Sequence, residues 1–239
     1  MSRGRIHASF QGRFGNCAFT YCFARAFAEK HDLELTTDPW SGEDVFDIPL
    51  ARGSDDLPRR DENTIQDTDT NIVFRSYAQQ QKCLIYSRAD VRRWLKFKPH
   101  IEDAMGVLKP EELLAHRRVG DYPGYQYPVI SQSSYIEACR QFGLDENKLK
   151  FITEEEPTLL PGPWPDFLPD FWRLSHCKTL LRGNSSFSWW AATLGHGEVY
   201  SPVIEGKPGG VETDYPFVKG NHPRFNSAAF LTDLHLRDE

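Results

Sequence analysis

The chain has 239 residues, of which 39% are hydrophobic and 26% charged, proportions that belong to a folded globular protein and exclude a disordered one. Its formal net charge of −6 argues against a general nucleic-acid binder, which needs a basic surface. No stretch approaches the roughly 18 apolar residues of a membrane span, and the N-terminus lacks the charged region, apolar core and cleavage site of a signal peptide, so no membrane span and a cytoplasmic location are expected. The cysteines are Cys17, Cys22, Cys83, Cys139 and Cys177, an odd set with no Cys-x-x-Cys pair. Reduced structural thiols are expected, not disulfides or zinc ligands.

In chain order, residues 5–10 read as a strand. From Asn16 the apolar positions Phe19, Cys22, Phe23, Ala26 and Phe27 recur at helical spacing, and the helix fades at Glu29-Lys30-His31. Residues 33–36 suit a second strand, 38–70 a long polar connection, and 71–75 a third strand. Ser87 is placed to cap a helix that runs through Trp94 and Leu95. Pro99 and Pro110 bracket a short helical link between halves.

The second half begins with a strand at 112–117, a loop at 122–128 and a helix at 133–142 closed by Gly143. A strand at 150–153 leads into the acidic turn Glu154-Glu155-Glu156-Pro157 and a proline-rich loop. A helix at 167–177 carries Pro169 in its first turn. A strand at 178–182, a helix at 186–194, a strand at 198–202 and a tail helix at 226–236 complete the pattern. Strands alternating with helices predict an α/β fold with parallel sheets, in which ligands sit beyond the carboxyl ends of the strands. The expected division is 1–105, 106–220 and a helical tail at 221–239.

Two corners stand at such strand ends. Gly12-Arg13-Phe14-Gly15-Asn16 joins the first strand to the first long helix, and Gly183-Asn184-Ser185-Ser186-Phe187 joins a later strand to another helix. Helix N-termini offer N–H groups and a positive partial charge, so these corners suit an anion. His116-Arg117-Arg118-Val119-Gly120-Asp121-Tyr122 adds fixed positive charge. Together they point to a phosphate-bearing ligand. A competing motif, Asp67-Thr68-Asp69, has the Asp-x-Asp form that holds a divalent cation in other transferases, but it precedes an apolar strand instead of ending one and reads as a loop.

These three segments, in this order, resemble the alpha-1,2-fucosyltransferase family and, more loosely, the protein O-fucosyltransferases. The match runs over Gly12 to Asn16 with Ala24-Arg25-Ala26, over His116 to Tyr122, and over Asn184-Ser185-Ser186-Phe187-Ser188-Trp189-Trp190-Ala191-Ala192. Weaker echoes are Tyr77-Ala78-Gln79, Phe151-Ile152-Thr153 and Leu174-Ser175-His176-Cys177. Cys17 stands where the family has Gln, and Thr153 displaces the expected acidic pair to Glu154-Glu155.

The resemblance implies a GT-B-like fold of two small Rossmann-like domains facing a central cleft, with the acceptor on the N-terminal side and the nucleotide sugar on the C-terminal side. It implies an inverting transfer of L-fucose from GDP-fucose to a glycan hydroxyl, with no metal or other cofactor required. Asn16, Arg118 and Asp121 take the catalytic positions. Phe14, Gly15, His116, Glu154, Glu155, Asn184, Ser185, Ser186 and Phe187 take donor-binding ones. The chemistry fits these residue types: a guanidinium meets the charge that builds on the departing diphosphate, and a carboxylate accepts the paired N–H donors of guanine. Packing is the competing expectation for Phe187, Trp189 and Trp190, and bracing an arginine the competing one for Asp121. The rival functions are the same scaffold with another GDP-sugar and a nucleotide-sugar-binding protein without turnover.

Overall fold

A computed structural model describes residues 4–54, 56–204, 210–221, 224–227, 230–233 and 236. The chain forms two compact units, the first reaching Ile101 and the second beginning at Glu102.

The first unit is built on β1 (Arg5–Ala8), α1 (Phe14–His31), β2 (Glu34–Thr37), α2 (Gly42–Val45), β3 (Arg59–Arg60), β4 (Asn71–Phe74) and α3 (Arg88–Trp94). Its sheet has the order β2-β1-β4-β3, and every pairing is parallel. Central β1 is covered on both faces: Ile6, His7 and Ala8 are all buried. That is the condition of an inner parallel strand, and it explains why the apolar-polar alternation of this segment does not produce a wet face. The helix α1 begins two residues before the expected Asn16 and is enclosed nearly all round, with Glu29 and Lys30 its exposed positions. Phe23 lies 4.4 Å from Phe74 of β4, ring centre to ring centre, which fixes α1 on the sheet. At its end Asp32 adopts φ +55 and returns its N–H to Ala28.

The polar connection after β2 carries the short α2 and the two-residue β3. Its two Asp-x-Asp carboxylates are both engaged. Asp67 accepts from Lys30 Nζ at 2.9 Å, and Asp69 Oδ2 accepts from Arg60 Nε at 3.1 Å and from the Gln66 N–H at 2.9 Å. Ser87 does cap α3: its Oγ accepts the Asp90 N–H at 3.1 Å, while Asp90 Oδ2 accepts the Ser87 N–H at 3.0 Å.

After α4 (Pro99–Met105), the second unit contains β5 (Leu113–His116), β6 (Val129–Ile130), α5 (Gln132–Phe142), β7 (Leu149–Ile152), α6 (Leu168–His176), β8 (Thr179–Leu181), α7 (Ser186–Leu194), β9 (Glu198–Pro202), β10 (Glu212–Thr213) and β11 (Phe217–Lys219). The sheet order is β11-β9-β8-β5-β7, parallel except that β11 runs against β9. Tyr135 of α5, Leu181 of β8, Tyr200 of β9 and Phe217 of β11 share one core. Trp189 and Trp190 of α7 are buried and meet edge to face at 4.8 Å, so both are packing residues. Gly143 caps α5 at φ +67, and Pro169 lies in the first turn of α6.

The tail departs from expectation. Where a helix over 226–236 was expected, the described backbone forms two antiparallel strands, β12 (Arg224–Ser227) and β13 (Phe230–Asp233). Cross-strand pairing outweighs the local helical spacing there. Residues 222–223, 228–229, 234–235 and 237–239 of the expected tail lie outside the described residues. Among the described residues no helix is long and apolar enough to cross a membrane.

The reciprocal cap of α3 sets a test. Ser87→Ala should lower stability by about 1 kcal/mol in chemical denaturation. An unchanged midpoint would show that α3 is held by its packing alone.

Candidate functional site

In the second unit, the sequence-derived positions converge at the carboxyl ends of β5 and β8. These strands pair in register, Ala115 opposite Leu181. His116 therefore stands beside Arg182, and the chain beyond each strand forms one edge of the site. The Gly183 corner is tight: a Cβ there would come within 2.5 Å of the His116 carbonyl oxygen and 3.2 Å of its Nδ1. Glycine is required at 183 by this approach.

Arg118 is largely buried and held from three sides. Its Nη2 lies 2.6 Å from Asp121 Oδ1, its Nη1 pairs with Glu154, and its guanidinium lies 5.3 Å from the Tyr122 ring centre. Tyr122 in turn donates its hydroxyl to the Asn184 carbonyl, tying the loop after β5 to the corner before α7. Burial pushes the Tyr122 hydroxyl up to about 12, so it remains a donor. The neighbouring Arg117 points elsewhere, pairing with Glu212 at 3.0 Å.

The two glutamates of the acidic turn are separated in role. Glu154 sits on Arg118. Glu155 accepts the Gly120 N–H at 3.3 Å. Its carboxyl is held below the usual range, chiefly by its own backbone N–H and against a raising effect of burial, with the Gly120 N–H adding to the lowering.

At the start of α7, Ser185 is the N-cap and accepts the Phe187 N–H at 3.2 Å. Ser186 opens the helix, half-buried. Phe187 packs between α6 and β5, 5.2 Å from Phe171 and 5.5 Å from His116. Its role in the described structure is to pack against those rings.

His116 is buried beside two guanidiniums. Burial first, then Arg118 and Arg182, lower its pKa to about 3, so the ring is neutral. Three buried polar atoms at this edge lack a hydrogen-bond partner among the described residues: His116 Nδ1, Arg118 Nε and Asn184 Oδ1. Buried polar atoms are nearly always paired, and a cluster of exceptions marks a place where a ligand can complete the set.

Arg182 was not singled out by sequence reasoning. Its side chain is buried, Nε donates to Ser201 Oγ at 2.7 Å and Nη1 to the Gly183 carbonyl at 2.9 Å, and burial pulls its pKa down to about 9. A signal existed: an arginine directly follows the apolar run Thr179-Leu180-Leu181 and directly precedes the glycine corner.

The remaining sequence-derived positions lie in the first unit, at the β1–α1 corner. Phe14 is buried against Trp40 and Phe46, with ring centres 6.1 and 5.9 Å away, so its ring packs in the core. Gly15 is buried in the first turn of α1. Asn16 is half-buried, and its Oδ1 accepts from Gln79 Nε2 at 2.8 Å. Gln79 is a second residue whose part is seen only in three dimensions. Cys17, where the resembling family has Gln, is a buried thiol pushed up to about 11 by burial. Among the described residues no three His, Cys, Asp or Glu side chains gather as a metal site would need.

Comparison with known proteins places this geometry on a known fold. No family model and no curated protein sequence matches the chain. Solved structures do. A NodZ alpha-1,6-fucosyltransferase soaked with GDP-fucose matches at a TM-score of 0.55 and 15% identity, over 91% of this chain and 99% of that one. NodZ from Bradyrhizobium matches at a TM-score of 0.56 and 14% identity, over 92% and 99%. A NodZ structure co-crystallised with GDP matches at a TM-score of 0.55 and 14% identity, over 92% and 99%.

The His116 environment fixes an acid response. The folded ring excludes a proton that an unfolded histidine binds near 6.5, so its contribution to stability is present above that pH and is lost as pH falls toward 3. Stability should drop by up to about 1.4 kcal/mol per pH unit across this window from this residue, and His116→Gln should flatten the slope in urea denaturation at pH 4–7. An unchanged slope would mean that His116 is protonated in the fold. The chain has the α/β, parallel-sheet fold of GT-B-type fucosyltransferases.

Proposed function

We propose that this protein is an inverting glycosyltransferase that moves L-fucose from GDP-fucose to a glycan hydroxyl, in alpha-1,2 linkage. The observation that carries the reading is the largely buried Arg118, set among partnerless polar atoms at the carboxyl ends of β5 and β8, where α7 begins. The motif resemblance supports the linkage, whereas two of the structural neighbours named above are alpha-1,6-fucosyltransferases.

In this reading the second unit binds the donor. The diphosphate replaces Glu154 on Arg118, because a phosphate group offers more charge and a bidentate edge to a guanidinium than a single carboxylate does. The first turn of α7 and the Ser185 and Ser186 hydroxyls receive the other phosphate oxygens. Glu154, once released, and Glu155 of the same turn accept the N–H donors of guanine. Arg182 adds fixed positive charge from below the corner.

The chemistry is a displacement at the anomeric carbon. The acceptor oxygen bonds to C1 as the bond from C1 to the β-phosphate oxygen breaks. The electron pair of that bond leaves with GDP, and the acceptor's proton is lost to water. Arg118 stabilises the charge gathered on the leaving diphosphate. Asn16 serves the reacting end of the donor with an N–H from the first unit, which also supplies acceptor contacts. Asp121 braces Arg118 at 2.6 Å, so its catalytic share lies in fixing the guanidinium. These groups carry the charge that a divalent cation carries in other transferases, and turnover in EDTA is expected.

Arg118→Ala and Asn16→Ala should each reduce fucose transfer to a glycan array by about 100-fold or more while the fold is retained. Product linkage analysis then tests the alpha-1,2 assignment. Full transfer activity in both variants would refute the assigned roles, and transfer from UDP-sugars but not from GDP-fucose would refute the donor.

A further inference from the structure

The turn after β4 is built around an unusual backbone. Ala78 adopts φ +50, in the left-handed region that side-chain-bearing residues avoid. Two bonds hold it there: Thr20 Oγ1 of α1 donates to the Ser76 carbonyl at 2.6 Å, and the Ala78 N–H donates to Ser76 Oγ at 3.1 Å. The result is that Gln79 turns back onto the first turn of α1, where its Nε2 donates to Asn16 Oδ1 at 2.8 Å.

That bond fixes which half of the Asn16 amide faces which way. With Oδ1 turned to Gln79, Nδ2 is turned to Gly12, whose position leaves no room for a Cβ without a clash against that nitrogen. Gly12 itself has φ +79 and is exposed. The strained turn places Gln79, its Nε2 is bonded to Asn16 Oδ1, and the donor edge of that amide lies beneath an exposed glycine.

We infer that Gln79 is a positioning residue that holds Asn16 with its N–H edge, and not its oxygen, toward the donor sugar's departing oxygen; this rests on the role of Asn16 proposed above. The chemistry requires that sense. As the C1–O bond breaks, its electron pair moves onto the departing oxygen, which an N–H donor stabilises and a carbonyl lone pair opposes. Gln79 supports that sense by donating its Nε2 to Asn16 Oδ1, the arrangement in which the pair is bonded. A glutamate of the same shape accepts instead and would draw Nδ2 toward itself.

The test is Gln79→Glu, compared with Asn16→Ala, in the full chain. Three quantities are read: GDP-fucose turnover, GDP affinity, and the Asn16 side-chain amide resonances, assigned by their loss in Asn16→Ala. In Gln79→Glu we expect kcat to fall at least tenfold, GDP affinity to stay within twofold, and one Asn16 amide proton to move downfield on bonding the new carboxylate. Gln79→Met, which neither donates nor accepts firmly, should lose less activity than Gln79→Glu. Unmoved Asn16 resonances and wild-type kcat in Gln79→Glu, with Asn16→Ala inactive, would overturn the inference and leave the transferase reading standing. Wild-type turnover in Asn16→Ala would overturn both the role of Asn16 and the positioning role of Gln79.

Discussion

The second unit depends on keeping guanidinium charge where water is scarce. Arg118 and Arg182 stand at the ends of adjacent parallel strands with the neutral ring of His116 beside them. Burying a cation is costly unless it is paired and hydrogen-bonded. Arg118 meets that cost with Asp121, Glu154 and the face of Tyr122. Arg182 meets part of it with Ser201 and the Gly183 carbonyl. Much of the local sequence follows from this constraint. Gly183 lets the corner close on His116, Tyr122 ties the loop to Asn184, and Ser185 starts α7 without a carboxylate that would cancel the field. Burial first, and then the two arginines, keep the His116 ring neutral.

The first unit solves a different problem with similar means. Its central helix is enclosed, so the only polar side chain of the first turn of α1, Asn16, must be placed by neighbours that are themselves fixed. Gln79 does this through a strained turn held by Thr20 and Ser76. The two units thus each present polar groups whose direction is set by backbone geometry. Fixed direction matters for catalysis because groups that need not reorganise stabilise developing charge at once. It also explains why glycines at 12 and 183 matter: each marks a place where another residue's polar atom occupies the space a Cβ would need.

Most of the fold was legible because its elements are long enough to show a period. The α1 stripe, the Ser87 cap, the Gly143 stop and the β8–Gly183–α7 corner all have local chemical causes. The elements that escaped are those decided by distant partners. β3, β6 and β10 have two residues each, too few for any alternation, and exist because β4 and one another lie alongside. The tail pairs as β12 and β13 although its apolar spacing suits a helix. In the site, residue types and order were readable but side-chain direction was not. Phe14 turned into the core, Asp121 onto Arg118, and Glu154 onto the same arginine, while Arg182 and Gln79 took parts set by partners distant in the chain.

The central claim is that the edge around Arg118 is a nucleotide diphosphate site. Calorimetric titration of the purified protein with GDP and with UDP, at two salt concentrations and in the presence of EDTA, tests it most directly. The account predicts saturable binding of GDP, weaker binding of UDP, persistence in EDTA, and loss of affinity as salt screens the guanidinium field. Folded protein that binds neither nucleotide would contradict it.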